Sequence, residues 1–297
     1  ELLGRSAATG AATLVGLDFS FGYPAGFAEV VDPRPRRGPG ESVGPGAQVG
    51  PPWRRTWRVL GDLVDDRPDN ENNRFAVANE LNRRSGTRLF WGRPASARYD
   101  DLRWLPTTDV VPPGLAPNPC AALRRCERAA GPGICSNFQL FGGVTVGGQV
   151  LTGIPWLARL LAALPGAVVW PLQTGFVADP LAGAPPGRRA GGAARVVFVE
   201  LWPSLFGPPD PRGSVRDEGQ VLTALGACAR QDAAGWAAWF DPVSPGGSSA
   251  LPARVVAQVS ARMSAQAVVR HAGRHAEVPA PVLDEEGWIL GVPLAPG

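Results

Sequence analysis

Two short apolar runs constrain this chain more than any other feature. LVGL (14–17) ends in Asp18 and VVFV (196–199) ends in Glu200, and each acid is followed closely by aromatic residues and a proline. Continuous apolar runs of this length, bounded by turn-forming residues, read as strands covered on both faces. Asp18 and Glu200 then stand at strand C-terminal ends, where the loops of an open α/β sheet diverge and ligands collect. Simpler readings are that Asp18 caps the turn made by Gly22 and Pro24, and that Glu200 is an edge charge facing water.

Helices alternate with these strands. WRRTWRVLGDLV places Trp53, Trp57, Leu60 and Val64 on one helical face, and NRFAVANELNRRSG runs Phe75, Val77, Ala78 and Leu81 down another before Gly86 ends it. The residues ahead of Phe75 supply good N-caps. Leu151, Ile154, Leu157, Leu160 and Leu161 form a third apolar face that stops at Pro165 and Gly166. AVVWPL and GWILGV read as further strands, and VRDEGQVLTALGACAR and residues 251–275 as further helices. The pattern predicts α/β architecture in a single elaborated domain spanning 1–297.

Thirty-eight glycines and 32 prolines make up about a quarter of the chain, against a typical ~12%. They concentrate in irregular insertions at 32–52 and 91–119. Ten tryptophans argue for a folded core between them. Every positive side chain is arginine, and a net charge of +3 falls short of the basic stripe of a strong nucleic-acid binder. Four cysteines without a Cys-x-x-Cys pair, and only two histidines, give no structural zinc site. No apolar run is long enough to span a membrane and no signal peptide is evident, so a cytoplasmic setting with reduced thiols is expected.

The acids carry the chemistry. If their strands are neighbours, Asp18 and Glu200 come close enough to share a divalent cation, and Asp217 at the head of the next helix can supply a third carboxylate, with Asp232 a weaker candidate. Such a set activates water and stabilises the leaving oxygen of a phosphodiester; otherwise, Asp217 and Glu218 simply complement the helix dipole. FGGVTVGGQ lacks the Lys and Ser/Thr of a phosphate loop, His271 and His275 lack the intervening Glu of a zincin, and no Gly-x-Ser-x-Gly elbow is present.

GLDFSFGYPAGF, NRFAVANELN, LFWGRP, SNFQLFGGVTVGGQVLTGIP, VVWPLQTGF, VELWPSLF, VRDEGQV and EEGWILGV, in order over nearly the whole chain, resemble the bacterial RNase H-like family called domain of unknown function 429. Its members are described as predicted nucleases, and some as proteins of molybdopterin guanine dinucleotide synthesis. The resemblance implies an RNase H-like mixed sheet flanked by helices, with Asp18, Glu200 and Asp217 as catalytic ligands of Mg²⁺ or Mn²⁺. The family's first strand, with its Asp-Trp-Ser-Ala motif, has no counterpart here, and the chain opens on Glu1 rather than Met. A sheet lacking its first strand, with weakened metal binding, is therefore expected. Ser20 stands where the family has Pro, and Trp202 where it has Tyr.

Three functions are compatible with this reading. The first is a metal-dependent nuclease or phosphodiester hydrolase, with Arg54, Arg58, Arg83 and Arg84, joined by Arg55 and Arg88, neutralising phosphates. The second is an enzyme of cofactor or nucleotide metabolism acting on a phosphorylated small molecule. The third is a binding protein that keeps the fold without catalysis. Oligomeric state is not legible in the sequence.

Overall fold

A computed structural model describes residues 12–33, 50–103, 120–131, 133–142, 145–176, 196–234, 237–240, 280–290 and 292. The elements in chain order are β1 (Thr13–Leu17), α1 (Phe27–Val31), α2 (Pro52–Leu63), α3 (Arg74–Ser85), α4 (Arg125–Ala130), α5 (Gly147–Ala163), β2 (Val168–Val169), β3 (Val196–Glu200), α6 (Arg216–Ala234) and α7 (Ala237–Phe240). A 3-10 turn covers Pro203–Phe206, and a wide helical turn covers Val282–Glu286.

The three strands form one sheet in the order β1-β3-β2. All are parallel, with Thr13 opposite Val196 through Leu17 opposite Glu200, and Val168 and Val169 opposite Val197 and Phe198. The antiparallel part of a mixed sheet is not found among the described residues. Side chains alternate across a strand, and β3 divides its own between two cores. Val196 and Phe198 pack with Phe21, Trp57, Leu60, Leu81 and Ile154 from the α1, α2, α3 and α5 side. Val197 and Val199 face Cys126, Phe206, Ala224, Phe240 and Trp288. Helices thus cover both faces, which is why β3 reads as an unbroken apolar run and is buried at every position. The expectation of full cover fails for β1. It lies at the end of the described sheet, half-buried, with Gly16 exposed.

The predicted helices at 53–64, 73–86, 151–164 and 215–230 are present with shifted boundaries. Gly86 ends α3 with φ 61°, a left-handed conformation that a side chain resists. Asn73 does not cap α3. Its amide instead accepts from the Asp65 N–H at 2.9 Å and donates to the Leu63 carbonyl at 2.9 Å, closing the connection from α2. AVVWPL yields only two strand residues, and GWILGV only a single bridge, Ile289 beside Glu200. The expected helix at 251–275, His271 and His275, and most of the two irregular insertions lie outside the described residues. Among the described residues no helix is long and apolar enough to cross a membrane, and the four cysteines, all described, form no disulfide.

One face of α5 lines the core through Val150, Leu151, Ile154 and Leu157, while Trp156 is 43% exposed. Ile154→Ala is expected to cost about 2–5 kcal/mol of stability and Trp156→Ala less than about 1 kcal/mol, measured by denaturant titration.

Candidate functional site at the sheet rim

Register brings the two strand-end acids to the same rim, since Leu17 pairs with Glu200 and the Leu201 N–H bonds the Leu17 carbonyl at 3.0 Å. Their surroundings are opposite. Asp18, one residue past an edge strand, is exposed, whereas Glu200, ending the central strand, is 0% exposed.

A buried cation accounts for Glu200. Arg124, itself 0% exposed, grips it bidentately, Nη1 to Oε2 at 2.8 Å and Nη2 to Oε1 at 2.5 Å. The Phe21 N–H adds a bond to Oε2 at 3.2 Å, and the Trp202 indole N–H one to Oε1 at 3.0 Å. The rest of the guanidinium is also satisfied: Nε bonds Glu127 Oε1 at 2.7 Å, Nη1 the Glu286 carbonyl at 2.8 Å, and Nη2 Ser20 Oγ at 2.7 Å. Ser20 Oγ also donates to Asn137 Oδ1 at 3.0 Å, and Asn137 Nδ2 returns a bond to the Gly22 carbonyl at 3.1 Å. The small hydroxyl of Ser20, read from sequence as a mild change, is thus tied into the network. Charge-assisted, bidentate bonding of this kind fixes geometry as well as energy.

Asp18 carries the rim's available charge. Loss of water around its carboxyl, then the charges of Glu200 and Asp217, push its pKa from 3.8 up to about 6. The residue as a whole remains open to solvent, so a proton or a cation can reach it. Asp217, exposed in the first turn of α6, is therefore within electrostatic reach of Asp18. Its neighbour Glu218 turns back to accept from the Ser214 N–H at 2.6 Å and hydroxyl at 2.5 Å, which starts the helix. Asp232 lies about four turns further along the same helix, in its last turn.

The fit to a divalent cation is partial. Among the described residues Asp18 and Asp217 form no ion pair, but both oxygens of Glu200 are engaged by Arg124, Phe21 and Trp202. No group of three or more His, Cys, Asp or Glu side chains among the described residues is placed to hold a metal ion.

The predicted phosphate-facing arginines are largely committed within the chain. Arg58 pairs with Asp32 at 2.6 Å; Arg83 and Arg84 both pair with Glu80, at 2.7 and 2.6 Å. Arg55 is buried, bonding Glu29 and the carbonyls of Ala28 and Asp32. Arg88 is half-buried. Arg54 lies over the Trp53 ring at 5.0 Å.

Sequence reasoning missed Arg124 and gave Glu285 and Glu286 no role. The i, i+3 spacing of Arg124 and Glu127 in RRCE was the available signal, since such pairs meet on a helix face. Comparison with family models, curated proteins and solved structures gives no match.

Removing Arg124 would leave Glu200 as a buried, unpaired charge. Arg124→Met is expected to destabilise the chain by about 3–5 kcal/mol, and pairing it with Glu200→Leu to recover much of that loss, in a double-variant denaturation cycle. Asp18 has the opposite effect. With its pKa raised in the fold, its contribution to stability is intact below 3.8 and lost as pH rises through about 6. Asp18→Asn should therefore raise the melting temperature above pH ~7 and leave it little changed near pH ~4, as followed by thermal denaturation at the two pH values.

Proposed function

We propose that this chain is a hydrolase of phosphoester or phosphodiester bonds whose reactive carboxylate is Asp18. The observation that carries this reading is the contrast at the rim: of two acids at the ends of paired strands, Glu200 is neutralised and immobilised, while Asp18 stays exposed with its pKa raised by lost hydration and by the charges of Glu200 and Asp217. Asp18 and Asp217 would hold Mg²⁺ or Mn²⁺, a two-carboxylate demand typical of magnesium sites completed by water and substrate phosphate. The bound ion supplies an activated water and charge stabilisation at the phosphoryl oxygens. Glu200, assigned as a ligand by sequence, becomes an anchor: through Arg124 and the Phe21 N–H it fixes the loop that begins at Asp18. An RNase H-like sheet, to which the three parallel strands would belong, is the fold this reading favours.

The substrate is better read as a compact phosphorylated molecule, such as a nucleotide or a nucleotide-bearing cofactor, than as long nucleic acid. Arg58, Arg83 and Arg84 already spend their charge on Asp32 and Glu80, which removes much of the surface expected to track a backbone.

Calorimetric titration with Mg²⁺ and Mn²⁺, combined with hydrolysis assays on an activated phosphodiester, mononucleotides and single-stranded oligonucleotides, tests the proposal. Asp18→Asn should abolish cation binding and lower turnover by about a hundredfold or more. Arg83→Ala with Arg84→Ala should leave substrate affinity and its salt dependence unchanged. Undiminished turnover in Asp18→Asn would overturn the assignment.

A further inference from the structure

The backbone that follows Asp18 is bonded by acids from the other end of the described chain. Glu285 accepts from the N–H groups of Gly26 at 2.8 Å and Ala28 at 2.6 Å. Glu286 accepts from the Ala25 N–H at 3.1 Å. It is held in turn by Arg125, through its N–H at 2.9 Å and its guanidinium at 2.8 Å. Its carbonyl takes one of the Arg124 bonds at 2.8 Å. With Phe21 bonded to Glu200, three buried carboxylates serve four backbone donors within residues 21–28. Side-chain shape agrees with this arrangement, since a Cβ at Gly22 would overlap the carbonyl oxygens of Glu285 and Glu286. Trp288, Ile289 and Leu290, each buried, seat the segment, and the Leu290 N–H bonds the Glu200 carbonyl at 2.9 Å.

Glu285 and Glu286 are both buried, and burying two carboxylates is costly unless their bonds are needed. A helix as short as α1 could be seated by apolar contacts alone. What the carboxylates add is direction, because each fixes named N–H groups between Ala25 and Ala28 at short range.

We infer that Glu285 and Glu286 are positioning residues for Asp18: from a remote part of the sequence they hold residues 22–28 and so set the direction in which Asp18 presents its carboxylate. This rests on the reading of Asp18 as the reactive acid. Neither residue touches substrate or cation; both act through the loop.

The test compares the full chain with Glu286→Ala and Glu285→Ala by amide hydrogen exchange, by the carboxyl carbon signal of Asp18, and by steady-state hydrolysis of the activated phosphodiester. The expected result is exchange faster by about tenfold or more at Ala25, Gly26 and Ala28, with the amides of α5 still protected. The Asp18 signal should move, and kcat should fall by as much as about a hundredfold with KM little changed. A purely structural role would lower the melting temperature and leave the Asp18 signal and kcat in place, and that result would overturn the inference. If the unaltered chain hydrolyses none of the substrates, the proposed function fails on its own, and the Asp18 signal alone decides: displaced, the positioning role stands; unmoved, it falls. Should the alanine variants not fold, Arg125→Met, which removes only the guanidinium contact to Glu286, provides the same comparison.

Discussion

The buried pair of Arg124 and Glu200 is the interaction on which the rest of this structure depends. One guanidinium with no exposure joins the end of the central strand, the loop after β1, the first turn of α4 and the segment around Glu286. A buried ion pair is weak evidence for stability, because desolvating both charges offsets much of their attraction. Its contribution here is better described as specificity. Four segments distant in sequence have one mutual arrangement in which every N–H of that arginine side chain, and both oxygens of Glu200, find partners. A hydrophobic replacement of similar volume would fill the space without choosing among arrangements.

That arrangement separates two acids that look alike in sequence. Asp18 and Glu200 each close an apolar run, and the pairing of Leu17 with Glu200 brings them to one rim. The difference follows from strand position. β3 is central, so the side chain at its end points into a packed layer and needs a counter-ion. β1 is peripheral, so the residue after it meets water. The neutralised acid then serves the loop of the exposed one through the Phe21 N–H. A rim with two free carboxylates would repel itself, whereas one with a single proton-exchanging acid and Asp217 nearby can be settled by a proton or a cation.

Much of this fold was legible because its core follows simple periodicities. The faces of α2, α3 and α5 and the unbroken run of β3 announce burial directly, and Gly86 marks the end of α3. Less was legible where the deciding fact is who stands beside whom. β1 reads like β3 but is half-covered, because sheet order is set by tertiary packing and not by local pattern. Asn73 looks like a cap and ties α2 to α3 instead, its amide being equally able to serve either end. The surface arginines look like phosphate ligands in the sequence, yet Asp32 and Glu80 already bind several of them. Arg124 escaped notice because a buried arginine leaves no periodic trace; its importance appears only when residues 20, 127, 200 and 286 are seen around it.

The register of the sheet also dictates an order of events during synthesis. Phe21 and Glu200, bonded in the fold, are 179 residues apart in the chain. At ~5–20 residues per second, the first strand waits roughly ten to forty seconds on the ribosome for its partner to emerge. Over that interval β1 has no strand to pair with, and the loop after Asp18 has none of the acids that bind its amides. The bonds that shape the rim can thus form only once Glu200, Glu285 and Glu286 have been made.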